Sequence, residues 1–308
     1  MDKIFSAITY CQHNIPDFKK VETKVRGCPT VGSLKSVNDA LTKLTFQSNS
    51  SVGEIAEVIG RDISLTARLL RLVNSVFSGL SVTITSIDEA IFFLGLRQIR
   101  QLAMTTKVIE EMDSFVNESI DVNSLTIWRH SIATAILTRE ILTMTHGVKE
   151  DDTYYIAGLL HDIGKLVMVS AYPQCLKQSL EFEETNPRAF LERERKTFGF
   201  THADLGAVYV EQNGLSPEIV EAVLFHHEPE KIFHDPNYAA GVEVADILAR
   251  YAGCDAGFEP AAKLSFGEWE EFDGWKILFA GDRSGNHYAR ASIHRSIENL
   301  PSILKGLL

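Results

Sequence analysis

Histidine and aspartate recur along this chain at places where the neighbouring residues are apolar. His130, the adjacent pair His161-Asp162, His202, the adjacent pair His226-His227, and Asp246 all sit in such settings. Burying a polar or charged group without a partner is costly, so each of these positions needs an explanation. His161-Asp162 follows Ala157, Leu159 and Leu160. Asp246 lies within Val244-Ala245-Asp246-Ile247-Leu248, and its nearest basic neighbour is Arg250, four positions on. A buried aspartate that lacks an ion-pair partner calls for a metal or a hydrogen-bond network. Imidazoles and carboxylates together are the donor set that suits iron, manganese, zinc or nickel. An aspartate has two oxygens and can bridge two ions. The chemistry expected is therefore the binding of one or two divalent transition ions.

Helices must position these side chains. Apolar residues recur at helical spacing from Ser36, with Val37, Leu41 and Leu44, and again at Val52, Ile55, Val58 and Ile59, where Gly60 is expected to close the helix. A further helix starts near Ser64, with Leu65, Leu69, Leu72 and Val73 on one face. Ser81 to Thr85 is β-branched and suits an extended stretch. Ser86 with Glu89 three residues later is a capping-box pattern, and a break is expected at Gly95-Leu96. Helices are then expected over Ser124–Thr145, Asp152–Ile163, Lys165–Ala171 and Phe182–Phe198. The next starts at Thr201, with Asp204 three residues on. Ser216-Pro217-Glu218 is a start signal, since proline is tolerated in the first turn and glutamate favours a helix N-terminus. Ala239–Ala252 is expected to close at Gly253. Adjacent residues within a helix diverge by about a third of a turn. His161-Asp162 is therefore most useful at a helix end, and Gly164 is the residue expected to supply it. The aromatics Phe266, Trp269, Phe272 and Trp275 are expected to pack, and a last helix carries Ile293, Ile297 and Leu300 before Pro301. The fold class expected is all-α.

The chain has 308 residues, 45% hydrophobic and 23% charged, which suits a folded globular protein of one large or two modest units. Its net charge of −11 argues against a coat for nucleic acid or an anionic membrane. A small nucleotide remains compatible, because a metal ion supplies local positive charge. The four cysteines form no CxxC pair and suit the reduced thiols of a cytoplasmic protein. No signal-peptide pattern opens the chain, and no run approaches the roughly 18–20 apolar residues of a membrane span. Arg68, Arg71, Arg97 and Arg100 pair at spacings of three, as a solvated basic face does.

The order His130, then His161-Asp162 with Gly164-Lys165, then Asp246 resembles the HD superfamily of metal-dependent phosphohydrolases. Leu159-Leu160-His161-Asp162-Ile163-Gly164-Lys165-Leu166 is similar to that family's central motif. His202 and His226-His227-Glu228 resemble the second-metal histidines of its HD-GYP branch, which hydrolyses cyclic di-GMP. The remainder is more similar to the HDOD (HD-related output domain) group. Ile63 to Ser75, Ile84-Thr85-Ser86-Ile87, Ala90 to Leu96 and Trp128-Arg129-His130-Ser131 carry that likeness, over roughly residues 25–255. The chain departs from HD-GYP proteins in two places. Pro229-Glu230-Lys231 follows Glu228 where Gly-Tyr-Pro would stand. Thr126 stands where some members have a carboxylate for a third metal.

The resemblance implies an all-α fold with a leader (1–24), an N-terminal helical module (25–115), a metal-binding HD-like helical module (116–256) and a C-terminal extension (257–308). It implies that His130, His161, Asp162 and Asp246 hold one ion and His202, His226 and His227 a second, with Asp162 bridging. If the site is active, Asp162 and Lys165 serve catalysis, Lys165 by neutralising a phosphate oxygen. A solvated lysine after a helix break is the competing reading of Lys165. HDOD proteins are commonly signalling modules of bacteria, which implies a signalling partner or a nucleotide ligand. The retained ligand set keeps open the alternative of a working phosphohydrolase or phosphodiesterase.

Overall fold

The local signals in the sequence become helices, and among the described residues no strand occurs. The computed structural model describes residues 7–29, 56, 59–60, 63–76, 84–112, 124–147, 152–184, 186–232, 235–255, 267–279 and 283–307. The helices expected over Ser36–Leu44 and most of Val52–Ile59, the greater part of Ser81–Thr85, Phe266, and the side chains of Arg68, Arg97 and Arg100 lie outside these residues. Gly60 is itself helical. Among the described residues no helix is long and apolar enough to cross a membrane.

Contacts divide the chain into two units: Met1–Thr30 with Met112–Ile297, and Val31–Glu111 with Glu298–Leu308. The leader thus lies with the larger unit, and the C-terminal extension is shared between both. The smaller unit contains a helix over Ile63–Val76 and most of a kinked one over Ile87–Met112. Leu69, Leu72 and Val73 form the buried face of the former. Asn74 ties its end to the next segment, because its side chain both donates to the Ile84 carbonyl and accepts from the Ile84 amide, each at 2.8 Å. The Ile87–Met112 helix is interrupted at Gly95, whose φ of 78° and ψ of 159° suit glycine alone.

The larger unit holds α1 (Ala7–Asn14), α2 (Phe18–Arg26), α5 (Ser124–His146), α6 (Thr153–Leu160), α7 (Ile163–Ala171), α8 (Pro173–Ser179), α9 (Pro187–Phe198), α10 (His202–Gln212), α11 (Pro217–Phe225), α12 (Asn237–Tyr251) and α13 (Asp273–Phe279); the two helices of the smaller unit count as α3 and α4. The last helix, α14 (Arg283–Leu307), includes Pro301 instead of stopping before it. Helix α5 packs on α6 and α12, α7 on α10, α10 on α11, and α12 on α13. Thr201 and Asp204 form a capping box at the start of α10. The charged segment expected over Phe182–Phe198 is helical only from Pro187, because Asn186 caps it there and accepts from the Arg188 and Ala189 amides. Trp269 and Trp275 are buried, Trp269 against Tyr251, so both act as packing residues. All four cysteines are free thiols.

One boundary differs in a way that matters. The break expected at Gly164 occurs two residues earlier, at His161-Asp162 itself, and Gly164 lies inside α7. Gly164 serves close approach instead. A Cβ there would sit 1.7 Å from the His202 carbonyl oxygen and 2.7 Å from the Gly206 nitrogen.

Candidate metal centre

Short interruptions between helices deliver most of the histidines and aspartates. His130 projects from within α5 and Asp246 from within α12, the two helices that pack along each other. His161 ends α6, and Asp162 sits at the start of α7. His202 is the first residue of α10, and His226-His227 form the turn after α11. All seven expected ligand residues are at most 5% exposed.

Backbone carbonyls orient three of the rings. His130 Nδ1 bonds the Cys254 carbonyl at 2.7 Å, His161 Nδ1 that of Gly158 at 2.8 Å, and His226 Nδ1 that of Val223 at 2.8 Å. A carbonyl only accepts, so each Nδ1 donates to it and each Nε2 is left facing the centre. His202 differs, because its Nδ1 donates to the buried carboxylate of Glu194 at 2.7 Å. The same Glu194 oxygen accepts the His202 amide at 2.9 Å.

The Nε2 atoms converge on the two oxygens of Asp162. Oδ2 lies 3.6 Å from His130 and 3.4 Å from His161. Oδ1 lies 3.5 Å from His202 and 3.7 Å from His226. Asp246 Oδ1 approaches His130 at 3.0 Å and His161 at 3.8 Å. The donor atoms of Asp162, His202, His226 and His227 lie within 4.8 Å of one another, as do those of His130, His161 and Asp162.

This donor set fits metal. The Nε2 atoms of His130 and His161 stand 3.2 Å apart, as do those of His202 and His227. Two imidazoles on one ion, at metal–nitrogen distances of about 2.0–2.1 Å, place their nitrogens roughly 3 Å apart. Facing lone pairs repel unless positive charge lies between them. Two of the converging atoms, Asp162 Oδ1 and His226 Nε2, are buried with no hydrogen-bond partner, and such orphans point to an ion.

Cationic side chains already attend both carboxylates. Lys165, 2% exposed, donates to Asp162 Oδ2 at 2.7 Å. It is therefore not the solvated lysine that its position after a break suggested. Arg250 Nε donates to Asp246 Oδ1 at 2.9 Å, so Asp246 does have the ion-pair partner whose absence was part of the sequence argument. Burial opposes the charge of Asp162, but Lys165 and His161 outweigh it and hold the carboxyl well below the usual carboxylate range. Burial likewise opposes Asp246, and Arg250 and His130 overcome it. Burial pushes the pKa of His226 and His227 down, reinforced by neighbouring imidazoles. It also opposes a charged His161, but Asp162 and Asp246 prevail and raise that pKa.

Residues not singled out in the sequence support these. Arg188 Nε donates to the His227 carbonyl at 2.9 Å, and its other nitrogens reach Glu230 and Asp273 at 2.8 Å and Glu243 at 3.4 Å. Glu194 had one legible signal: it falls on the buried face of α9 with Pro187, Phe190 and Leu191, a position apolar periodicity reserves for the core. Burial pushes the Glu243 carboxyl up to about 7. Between the ordinary glutamate range and about pH 7 the folded chain therefore holds a proton that the unfolded chain releases. This contribution is complete below the unfolded pKa and is lost as pH rises through about 7. Urea unfolding at several pH values should show stability falling over that window. The fall should be shallower in Glu243→Gln, and identical slopes in the two proteins would contradict the assignment.

The HDOD domain model matches residues 31–229 of the chain. The fold is similar to that of an HDOD domain protein of unknown function from Geobacter sulfurreducens, with a TM-score of 0.70, 21% identity, and coverage of 93% of this chain and 99% of that one. It is also similar to a proposed phosphohydrolase from Shewanella amazonensis SB2B (TM-score 0.65, 21% identity, 94% of this chain and 98% of that one). A third is a proposed signal transduction protein from Marinobacter aquaeolei VT8 (TM-score 0.63, 19% identity, 88% of this chain and 58% of that one). An uncharacterized protein of Treponema pallidum (strain Nichols) is 27% identical over 223 residues, which cover 70% of this chain and 42% of that protein. The chain thus spans less than half the length of that curated relative. With a family match over most of its length, an all-helical architecture shared with a solved HDOD protein, and the His/Asp cluster in place, the chain belongs to the HDOD domain family.

Proposed function

We propose that this chain is a regulatory protein of bacterial signal transduction whose buried His/Asp centre holds one or two divalent transition ions, and which acts by binding a signalling partner or a nucleotide. The observation that carries this reading is closure of the site. Every ligand residue is at most 5% exposed, and both carboxylates hold a cationic side chain. A hydrolytic centre must admit a phosphate to its ions, whereas a centre that fixes the relative positions of α5, α7, α10, α11 and α12 need not.

A second reading, metal-dependent hydrolysis of a nucleotide phosphoester, is favoured by the division of Asp162 between the two clusters. His130, His161, Asp246 and one Asp162 oxygen would hold one ion, and His202, His226, His227 and the other oxygen the second. Bound ions of this kind supply an activated water and offset charge on phosphate oxygens. Lys165 would have to leave Asp162 for a phosphate oxygen, and the Nδ1–carbonyl bonds would keep the three rings oriented throughout. The fold is shared with proteins described both as a phosphohydrolase and as a signal transduction protein.

Metal analysis of protein purified without chelator, with a panel of cyclic dinucleotides, nucleotides and simple phosphodiesters, separates the readings. One or two ions per chain, saturable nucleotide binding and no turnover support the regulatory reading. Turnover that disappears in Asp162→Asn supports the hydrolytic one. No metal uptake under iron-, manganese- or zinc-replete conditions overturns both.

A further inference from the structure

We infer that the two halves of the centre load unequally: the half formed by His202, His226, His227 and Asp162 Oδ1 takes the first ion, and the half formed by His130, His161, Asp246 and Asp162 Oδ2 takes a second only weakly. This inference rests on the reading above that the centre holds metal.

The halves differ in which positive charges they already contain. In the second-loading half, the oxygens that face the histidines are the same ones that hold cations. Asp162 Oδ2 faces His130 and His161 and takes Lys165 at 2.7 Å. Asp246 Oδ1 faces the same pair and takes Arg250 at 2.9 Å. Both cations are nearly buried, with side chains 2% and 6% exposed, so solvent screens them little. A divalent ion there must enter beside two fixed positive charges or displace them. The half is also already in close contact without an ion, since His130 Nε2 lies 3.0 Å from Asp246 Oδ1.

In the first-loading half no cation among the described residues sits on the carboxylate oxygen that faces the histidines, because Lys165 bonds the other oxygen of Asp162. Its carboxylate oxygen, Asp162 Oδ1, and its His226 Nε2 are the buried orphans. It offers three imidazoles and one oxygen, where the other half offers two imidazoles and two oxygens that already hold cations. It also has the centre's histidine–carboxylate pair, His202 with Glu194 at 2.7 Å. A carboxylate on the far nitrogen fixes the ring and raises its basicity toward a metal. Where the rings of the other half are fixed, their partners are the neutral carbonyls of Cys254 and Gly158. Glu194 is thus a positioning residue for the first ion, while Lys165 and Arg250 restrain the second.

Titration of the chelator-stripped full chain with Co(II), followed by calorimetry and by the visible spectrum of the ion, tests this. Two steps are expected, one ion each, the second weaker by roughly tenfold or more given two unit charges so close. Glu194→Gln should weaken the first step by roughly ten- to a hundredfold and leave the second. Arg250→Met should strengthen the second step and leave the first. General destabilisation moves both steps together, so the split separates positioning from folding. If neither variant folds, crystals of the unaltered protein with one equivalent of Zn(II) still decide, since the anomalous peak should lie among His202, His226 and His227. Two equal steps, or a single-equivalent peak beside His130 and Asp246, overturn the loading order while leaving the metal centre standing. No Co(II) uptake at all overturns the metal centre itself.

Discussion

Replacing Asp162 with alanine should remove nearly all bound metal, not half of it. Its two oxygens face different histidine sets, Oδ2 toward His130 and His161 and Oδ1 toward His202 and His226. Loss of the side chain takes one donor from each cluster. Loss of Asp246 takes a donor only from the cluster of His130 and His161. Asp162→Ala also strands Lys165, whose ammonium is buried against Oδ2 at 2.7 Å. Removing one partner of a buried ion pair costs about 3–5 kcal/mol, so metal-free Asp162→Ala should be much less stable than metal-free unaltered protein.

Two measurements keep these effects apart. Plasma emission of purified protein gives ions per chain, expected to be near zero in Asp162→Ala and reduced but measurable in Asp246→Ala. Thermal melts with and without chelator give the linkage. An ion at a free concentration about a hundredfold above its Kd stabilises the fold by about 2.7 kcal/mol. Chelator should therefore lower the Tm of the unaltered protein and leave that of Asp162→Ala where it was. Asp162→Ala that keeps a full complement of metal would show that the carboxylate is not shared between the clusters.

The helices that carry the centre were largely legible because each has a local signal. The Thr201/Asp204 capping box, Ser216-Pro217 before α11, and glycine at 253 after α12 fix ends whose placement needs no tertiary information. The kink at Gly95 was legible for the same reason. The candidate ligands were legible as polar residues in apolar settings, and the structure brings their side chains together. The unseen part depends on distance in sequence. Cys254 reaches His130 across 124 positions, and Arg188 reaches the His227 carbonyl across 39. No spacing rule links such pairs. The pairing of Asp246 with Arg250 spans four positions on one helix, a spacing at which side chains meet. That spacing is readable in the sequence, although the run around Asp246 is apolar. Pro301 misled in the opposite direction. Proline removes one helical hydrogen bond and clashes with the preceding turn, yet α14 continues through it, with Leu300 and Leu304 buried on either side.

Gly164 reads in the sequence as a helix breaker, but in the fold it is a contact residue. As a helix breaker it would tolerate alanine, which has the higher helix propensity. As a contact residue it cannot. A Cβ on Gly164 would fall 1.7 Å from the His202 carbonyl oxygen and 2.7 Å from the Gly206 nitrogen, both backbone atoms. A flexible side chain could turn aside from such a clash, but here α7 and α10 must separate. Overpacking of a core typically costs about 1–3 kcal/mol, and a backbone-to-backbone conflict this short belongs at or above the upper end. The strain also falls on His202, the first residue of α10, whose amide and ring are both held by Glu194. Gly164→Ala should therefore lose about 3 kcal/mol in urea unfolding with chelator present, and when folded should bind its first ion more weakly. Gly253→Ala is the matched control. A Cβ at Gly253 meets nothing within 4 Å, and only its φ of 77° opposes substitution, a backbone cost of roughly 1–2 kcal/mol. Its metal affinity should match that of the unaltered protein. Gly164→Ala with unchanged unfolding and unchanged affinity would mean that α7 and α10 do not approach at this glycine, and that His202 is not positioned through their contact.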